Sequence, residues 1–166
     1  MFRARTPRPH STLAFAQCET VEAGIEKLAM GRSADDYTII STCRLDECLR
    51  VELKPRSAEV VLLHWVLLCE ILYIVELCRT YTARNIVPRA VGIRDAVRMR
   101  RDDIAFLGVA PCDAEHAFID FELQDVSQRL LTADSPFAAD ADKKTTAQPV
   151  LPKPGLVSRQ VSDALQ

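Results

Sequence analysis

The feature that most constrains this chain is an apolar run over residues 58–82. The run is close to the length that spans a bilayer. It is interrupted by His64 and by two carboxylates, Glu70 and Glu76, and carboxylates are costly at bilayer depth. The run therefore predicts a long central apolar helix in a soluble domain rather than a membrane segment. Its wide apolar surface predicts that other elements cover it on more than one side.

The residues before this run alternate between helix and strand patterns. Thr20 is a suitable residue to begin a helix and Gly31 is a suitable residue to end it. The segment 37–41 is short and rich in β-branched residues, which predicts a strand. Over 49–53, apolar and charged residues alternate, which predicts a strand with one buried and one wet face.

The residues after the run continue the mixed pattern. Pro88 prevents the helix from continuing and favours an extended backbone before it. Strands are predicted at 90–93 and 118–121, with a helix between them that starts near Asp102 and ends at Gly108. The sequence therefore predicts a single α+β domain that combines short strands with the long central helix.

Composition divides the chain into four parts. Residues 1–12 carry three Arg, two Pro and no acidic residue, which predicts a flexible leader. The domain itself is expected over 13–134. A Lys-, Thr- and Asp-rich stretch over 135–150 is typical of a linker, and 151–166 has the spacing of the start of one further helix.

Charge and cysteine usage limit the classes of function. The formal net charge is −2, and the chain has no basic stripe of the kind that a complete DNA-binding domain carries. Six cysteines without an apolar signal segment predict reduced, mostly buried thiols in a cytoplasmic protein. A group of arginines after the third predicted strand either forms a solvated helix face or contacts an acidic ligand or partner, namely Arg94, Arg98, Arg100 and Arg101.

No motif in the chain indicates catalysis. The cysteine spacings do not fit a zinc site, and no glycine-rich phosphate-binding loop is present, so no metal and no cofactor are expected. Cys112 and His116 are close in sequence but fall in a predicted solvated turn, which leaves a small Cys–His enzyme as a rival hypothesis. Within the apolar helix, Glu70 either forms a structural salt bridge or faces a cavity that binds a cationic ligand.

A series of short motifs in the second half of the chain resembles a known family. The order is Pro88-Arg89-Ala90-Val91, Phe106-Leu107-Gly108, Phe118-Ile119-Asp120-Phe121, Val126, Leu130 and Thr132-Ala133-Asp134. This order and spacing resemble the arabinose-binding-like N-terminal regulatory region of AraC-type transcription regulators, in the subgroup with ornithine-utilisation-type regulators. Residues 13–28 and 49–53 are similar to its earlier half. The terminal segment is similar to the stretch that leads into the first helix-turn-helix.

The resemblance implies an effector-sensing and dimerising domain of a bacterial cytoplasmic transcription regulator. It implies a small-molecule effector, a homodimer, and DNA contact only through a helix-turn-helix module that is mostly missing after residue 151. The mechanism would be a population shift between two arrangements. The alternative is a stand-alone small-molecule-binding or dimerisation protein without DNA contact.

A ligand pocket is expected among the helix at 58–82 and the strands at 90–93 and 118–121, because ligand sites favour concave junctions between elements. The residues expected to contact the ligand there are Trp65, Glu70 and Arg94.

Overall fold

The structure is a computed structural model that describes residues 9–31, 38–57 and 62–134. The linker predicted over 135–150 and the segment 151–166 lie outside the described residues. The same is true of residues 1–8 of the predicted leader and of residues 58–61 of the predicted long helix.

The described residues confirm the α+β class, since helices and strands follow one another within one domain. In chain order, the elements are α1 (Pro9–Ala16), α2 (Val21–Met30), β1 (Thr38–Arg44), β2 (Cys48–Pro55), α3 (His64–Thr82), β3 (Ala90–Ile93), a 3₁₀ turn (Ala96–Arg98), α4 (Arg101–Leu107), β4 (Cys112–Asp113), β5 (Ala117–Glu122) and α5 (Leu123–Val126).

The strands form one mixed sheet in the order β1-β2-β5-β3-β4. Its pairings are antiparallel except for the short parallel pair between β3 and β4. Val51, Ile119 and Val91 lie side by side across three neighbouring strands and are buried. Arg50 and Glu52 point to the opposite face, because successive side chains alternate along a strand. The alternation predicted over 49–53 is therefore confirmed.

The helix α3 contacts strands β3 and β5 of the sheet and also the helices α1, α2 and α4. Its buried residues begin at the eighth position and are Ile71, Ile74, Val75, Leu77, Cys78 and Thr82. The seven residues before Ile71 are half-buried or exposed, and Trp65 keeps 61% of its surface exposed. A helix of 19 residues is therefore present, and it begins at His64. Its expected role as a central apolar helix, covered on more than one side, is not confirmed.

Two elements differ from the sequence-based expectation. The helix α1 begins at Pro9, inside the segment predicted to be a flexible leader. Pro is favoured at the first helical position, since its missing N–H has no helical partner there. Phe15 of α1 is fully buried and packs against Gly24 of α2. The strand β4, in turn, lies within the loop predicted to be a solvated turn.

The helix ends follow the predicted signals. The Thr20 hydroxyl accepts the backbone N–H of Ala23 at the start of α2, and Gly31 ends that helix. Gly108 ends α4 in the left-handed conformation, with φ of 78°. That conformation is easily reached only without a Cβ atom.

Candidate functional site

Two of the three predicted ligand residues lie at the same end of the domain. The ring nitrogen Nδ1 of His64, at the start of α3, is 2.8 Å from the backbone carbonyl oxygen of Arg94, just after β3. Trp65 follows His64, and both Trp65 and Arg94 are exposed. Glu70 lies further along α3 and is half-buried. The structure thus brings the start of α3, where Trp65 lies, against the backbone of Arg94, and Glu70 lies more than one helical turn further along α3.

The backbone corner that carries Arg94 is fixed by β4. Asp95 adopts the left-handed conformation, with φ of 57°. Its backbone N–H donates to Oδ1 of Asp113 at 2.7 Å. Asp113 belongs to β4, which pairs in parallel with Gly92 and Ile93 of β3. A strand of only two residues therefore holds the turn that presents Arg94.

His64 adds a polar atom that no pattern in the sequence singles out. Since a carbonyl oxygen only accepts hydrogen bonds, Nδ1 must donate to Arg94, and a neutral ring then has Nε2 as its acceptor. Nε2 is buried without a hydrogen-bond partner. Buried polar atoms are normally paired, so this nitrogen is an exception among the buried polar atoms of the described residues. In the sequence, His64 is only an interruption of an apolar run.

Exposed apolar side chains lie close in sequence to the two residues of this contact. Leu63 is 56% exposed and Val97, in the 3₁₀ turn, is 94% exposed. Together with His64, Trp65 and Arg94 they form what we call the α3-start site. Tryptophan offers a large flat surface, and a guanidinium binds carboxylates through two parallel hydrogen bonds. The arrangement is chemically suited to a small molecule with a planar or apolar body and an anionic group.

The junction where a pocket was expected is packed with apolar side chains. The side chains that meet between α3 and strands β3 and β5 are almost fully buried, namely Ile71, Ile74, Val75, Val91, Ile93, Ile119 and Phe121. The α3-start site lies at the rim of this junction. A separate open groove of 390 Å³ lies between α2 and β1, at the opposite edge of the sheet from β4.

A charged pair occupies the other face of the sheet. Nε and Nη2 of Arg50 each donate to one carboxylate oxygen of Asp120 at 2.8 Å. The Arg50 guanidinium also lies 4.2 Å from the centre of the Phe118 ring. Asp120 is buried, and its hydrogen bonds raise the pKa of Arg50. The Phe118 ring lies directly over Gly92 of β3. A Cβ atom on Gly92 would overlap that ring. Because each charge is already satisfied by the other, the pair has a structural role.

A second arginine connects α3 to the loops around it. Arg79 donates to the carbonyl oxygens of Ile86 at 2.8 Å, Phe106 at 2.7 Å and Leu107 at 3.3 Å. Its guanidinium lies 4.8 Å from the centre of the Phe106 ring. Burial lowers the pKa of Arg79, since the charged form loses contact with water. Arg79 thus satisfies the last carbonyls of α4 and fixes α4 against the end of α3.

None of the six cysteines is in a disulfide, but the expectation that most are buried is wrong. Cys48 and Cys78 are buried, while Cys43 and Cys112 are exposed because they lie on strands at the two edges of the sheet. Burial raises the pKa of Cys78 to about 12, so this thiol stays protonated. His116 is exposed as well. Within the described parts of the chain, no three metal-ligating side chains come together.

Comparisons of the chain with family models, with curated proteins and with solved structures give no match. Over residues 9–31, 38–57 and 62–134, no helix combines the length and the apolar character needed to cross a membrane.

Proposed function

We propose that residues 13–134 form the effector-sensing and dimerising domain of an AraC-type bacterial transcription regulator. The observation that carries this proposal is the shared interior of the motif segments. All of them except the last, Thr132-Ala133-Asp134, contribute buried side chains to one hydrophobic core, namely Val91, Leu107, Ile119, Phe121, Val126 and Leu130. The family resemblance requires these segments to belong to one domain, and segments in separate places would argue against it.

The position of α3 supports the same proposal. Arg79 joins α3 to the carbonyls of Ile86, Phe106 and Leu107, so the helix is hydrogen-bonded to one of the motif segments. The α3-start site is therefore part of the unit that carries the resemblance. A molecule bound at that site acts on the whole domain rather than on a detached helix end.

We assign the effector to the α3-start site. Trp65 belongs to α3 and Arg94 to the corner after β3, so a ligand that contacts both binds best to one relative position of these two elements. A ligand with unequal affinity for two arrangements shifts their populations by that difference in affinity. DNA contact belongs in this proposal to a helix-turn-helix module, and the setting is the bacterial cytoplasm. The domain itself senses and associates, and makes or breaks no bonds.

The chain contains a single tryptophan, so its fluorescence reports on the proposed site directly. Carboxylate-bearing metabolites are titrated while emission is recorded. An effector is expected to change the emission saturably, and Arg94→Ala should weaken its binding about tenfold, which corresponds to roughly 1.4 kcal/mol. Arg84→Ala is the matched control, because Arg84 is exposed at the far end of α3 and should leave the affinity unchanged.

Two results would count against the proposal. If a metabolite binds saturably and with equal affinity to the wild type and to Arg94→Ala, the α3-start site is not where the effector binds. Chemical conversion of the bound metabolite by the protein would show that the domain is an enzyme and would contradict the proposed sensing function.

A further inference from the structure

The strand β1 is a long edge strand of the sheet with a single charged residue. It has seven residues, Thr38–Arg44, without Pro or Gly, and its one charged residue is at its end. In the part of the chain that the structure describes, β1 has a strand neighbour on one side only. The opposite edge, β4, has two residues. Long edge strands without charges or prolines are templates for pairing with another chain.

The hairpin geometry determines which backbone groups of β1 point outward. The N–H of Leu45 donates to the carbonyl of Cys48 at 2.8 Å, across the turn to β2. In an antiparallel pair, the inward-bonding residues alternate with those whose groups point away. Counting back from Leu45, the residues bonded to β2 are Cys43, Ser41 and Ile39. The residues that present N–H and C=O groups outward are Thr38, Ile40, Thr42 and Arg44.

We propose that β1 of a second copy of this chain pairs antiparallel with this edge, on a two-fold axis at Ser41, and joins the two sheets into one. This inference rests on the dimer in the proposed function and names its surface. Ser41 then faces the partner's Ser41, and Ile40 faces the partner's Thr42. Ile40 and Thr42 both have outward backbone groups, so Ile40 and the partner's Thr42 exchange two hydrogen bonds, whereas the two Ser41 residues exchange none. A two-fold interface uses the same patch on both copies, as this pairing does.

The charges on the edge are compatible with self-pairing. The two-fold axis at Ser41 brings Arg44 opposite the partner's Thr38, so the two Arg44 side chains do not face each other. Each Arg44 guanidinium is also held by both carboxylate oxygens of Glu22 of its own chain, at 2.8 Å. Like charges directly opposite would destabilise the pair, and this register has none.

The groove beside β1 gives the pairing an apolar component. Its lining along α2 includes Ala29 and Met30, and its lining along β1 includes Ile40. Met30 is 80% exposed in a single copy. A second strand laid along the edge covers this groove from the open side. Burial of exposed apolar surface then adds to the backbone hydrogen bonds, since it removes that surface from water.

A symmetric cysteine tests the register. In the full chain, Ser41→Cys is combined with Cys43→Ser and Cys112→Ser, which removes the exposed native thiols. Directly opposed residues that do not share backbone hydrogen bonds have Cα atoms about 4.5 Å apart. That separation suits a disulfide, which needs roughly 4.4–6.8 Å. Mild oxidation is therefore expected to convert most of the protein to a covalent dimer.

Thr42→Cys in the same background is the matched control. In the proposed register, residue 42 and its symmetry mate are offset by two residues, about 7 Å along the strand, so they are too far apart to bridge. Equal cross-linking of both variants would reflect random collision and would overturn the register. No cross-link through Ser41→Cys in a chain that sediments as a dimer would overturn the edge pairing while leaving the proposed dimer intact.

Hydrogen exchange on the unmodified chain gives a second readout that does not depend on a substitution. The outward amides of Ile40 and Thr42 are expected to exchange slowly in concentrated protein and at least tenfold faster after dilution to the monomer. The inward amide of Ser41 should be slow at both concentrations. Outward amides that stay slow in the monomer would mean that another segment of the same chain covers the edge. Outward amides that are fast in the dimer would place the interface elsewhere.

Discussion

Substitution of Arg79 by Met removes the connection between α3 and the motif segments. The variant keeps the apolar stem but loses three hydrogen bonds to backbone carbonyls, of Ile86, Phe106 and Leu107. At about 1 kcal/mol for each bond, this costs roughly 3 kcal/mol. Loss of the stacking on Phe106 adds about 0.5 kcal/mol. We expect a loss of about 3–4 kcal/mol, a large part of the 5–15 kcal/mol that typically stabilises a domain.

Equilibrium unfolding in urea measures this loss. With a denaturant dependence of about 1–3 kcal/mol per molar, the midpoint should fall by roughly 2 M. Arg84→Met is the matched control, since Arg84 is exposed and its substitution should change stability by less than about 0.5 kcal/mol. Arg79→Lys should lie between the two, because an ammonium cannot reach three carbonyls in the same fork. A loss below about 1 kcal/mol for Arg79→Met would refute the reasoning.

Further predictions follow from the sheet and the loops. Asp120→Asn should destabilise the domain by about 1–3 kcal/mol in thermal unfolding. The expected loss of stability is modest because the Arg50 side chain is one-third exposed, so water screens its charge. An unchanged melting temperature would contradict a stabilising role of the Arg50 and Asp120 ion pair. Iodoacetamide should label Cys112 in the folded protein and Cys78 only after unfolding, as mass spectrometry would reveal; labelling of both at equal rates would contradict the burial. Gly108→Ala should cost about 1 kcal/mol in urea unfolding, since its φ is positive, and a neutral effect would contradict that backbone geometry.

Local patterns in the sequence are sufficient to predict most of the sheet and its neighbours. Alternation over 49–53 identifies β2 because its apolar residues meet the core and its charged residues meet the other face. The caps at Thr20 and Gly108 are equally local, since each depends on one side chain or one backbone angle. Such features are set within a few residues, so a single sequence reveals them.

Long-range pairing explains what the sequence did not reveal. The strand β4 has two residues and exists because it pairs with β3, about twenty positions earlier, so it has no periodicity to detect. The Arg50 and Asp120 pair depends on the register between β2 and β5. Among the side chains described in α1, those of residues 12–16, only Phe15 is fully buried, so no repeating apolar face is seen there.

The candidate site was predictable only in part. Trp65, Glu70 and Arg94 were expected to act together, and the structure shows one contact between the start of α3 and the backbone of Arg94, made by His64. The unpaired Nε2 of His64 had no signal in the sequence, because its environment arises from elements thirty residues apart. The expected pocket between α3 and the strands coincides with packed core, since apolar residues on facing elements pack together.

The central claim is that this domain binds an effector and forms a dimer, and a population shift between two arrangements of the domain would couple the two events. Its most direct test is the dimer dissociation constant, measured by sedimentation with and without a saturating metabolite identified by tryptophan fluorescence. Coupling between two sites typically amounts to 1–3 kcal/mol, so we predict a change of about 5- to 150-fold. The same dissociation constant in the presence and absence of the bound metabolite would contradict the claim.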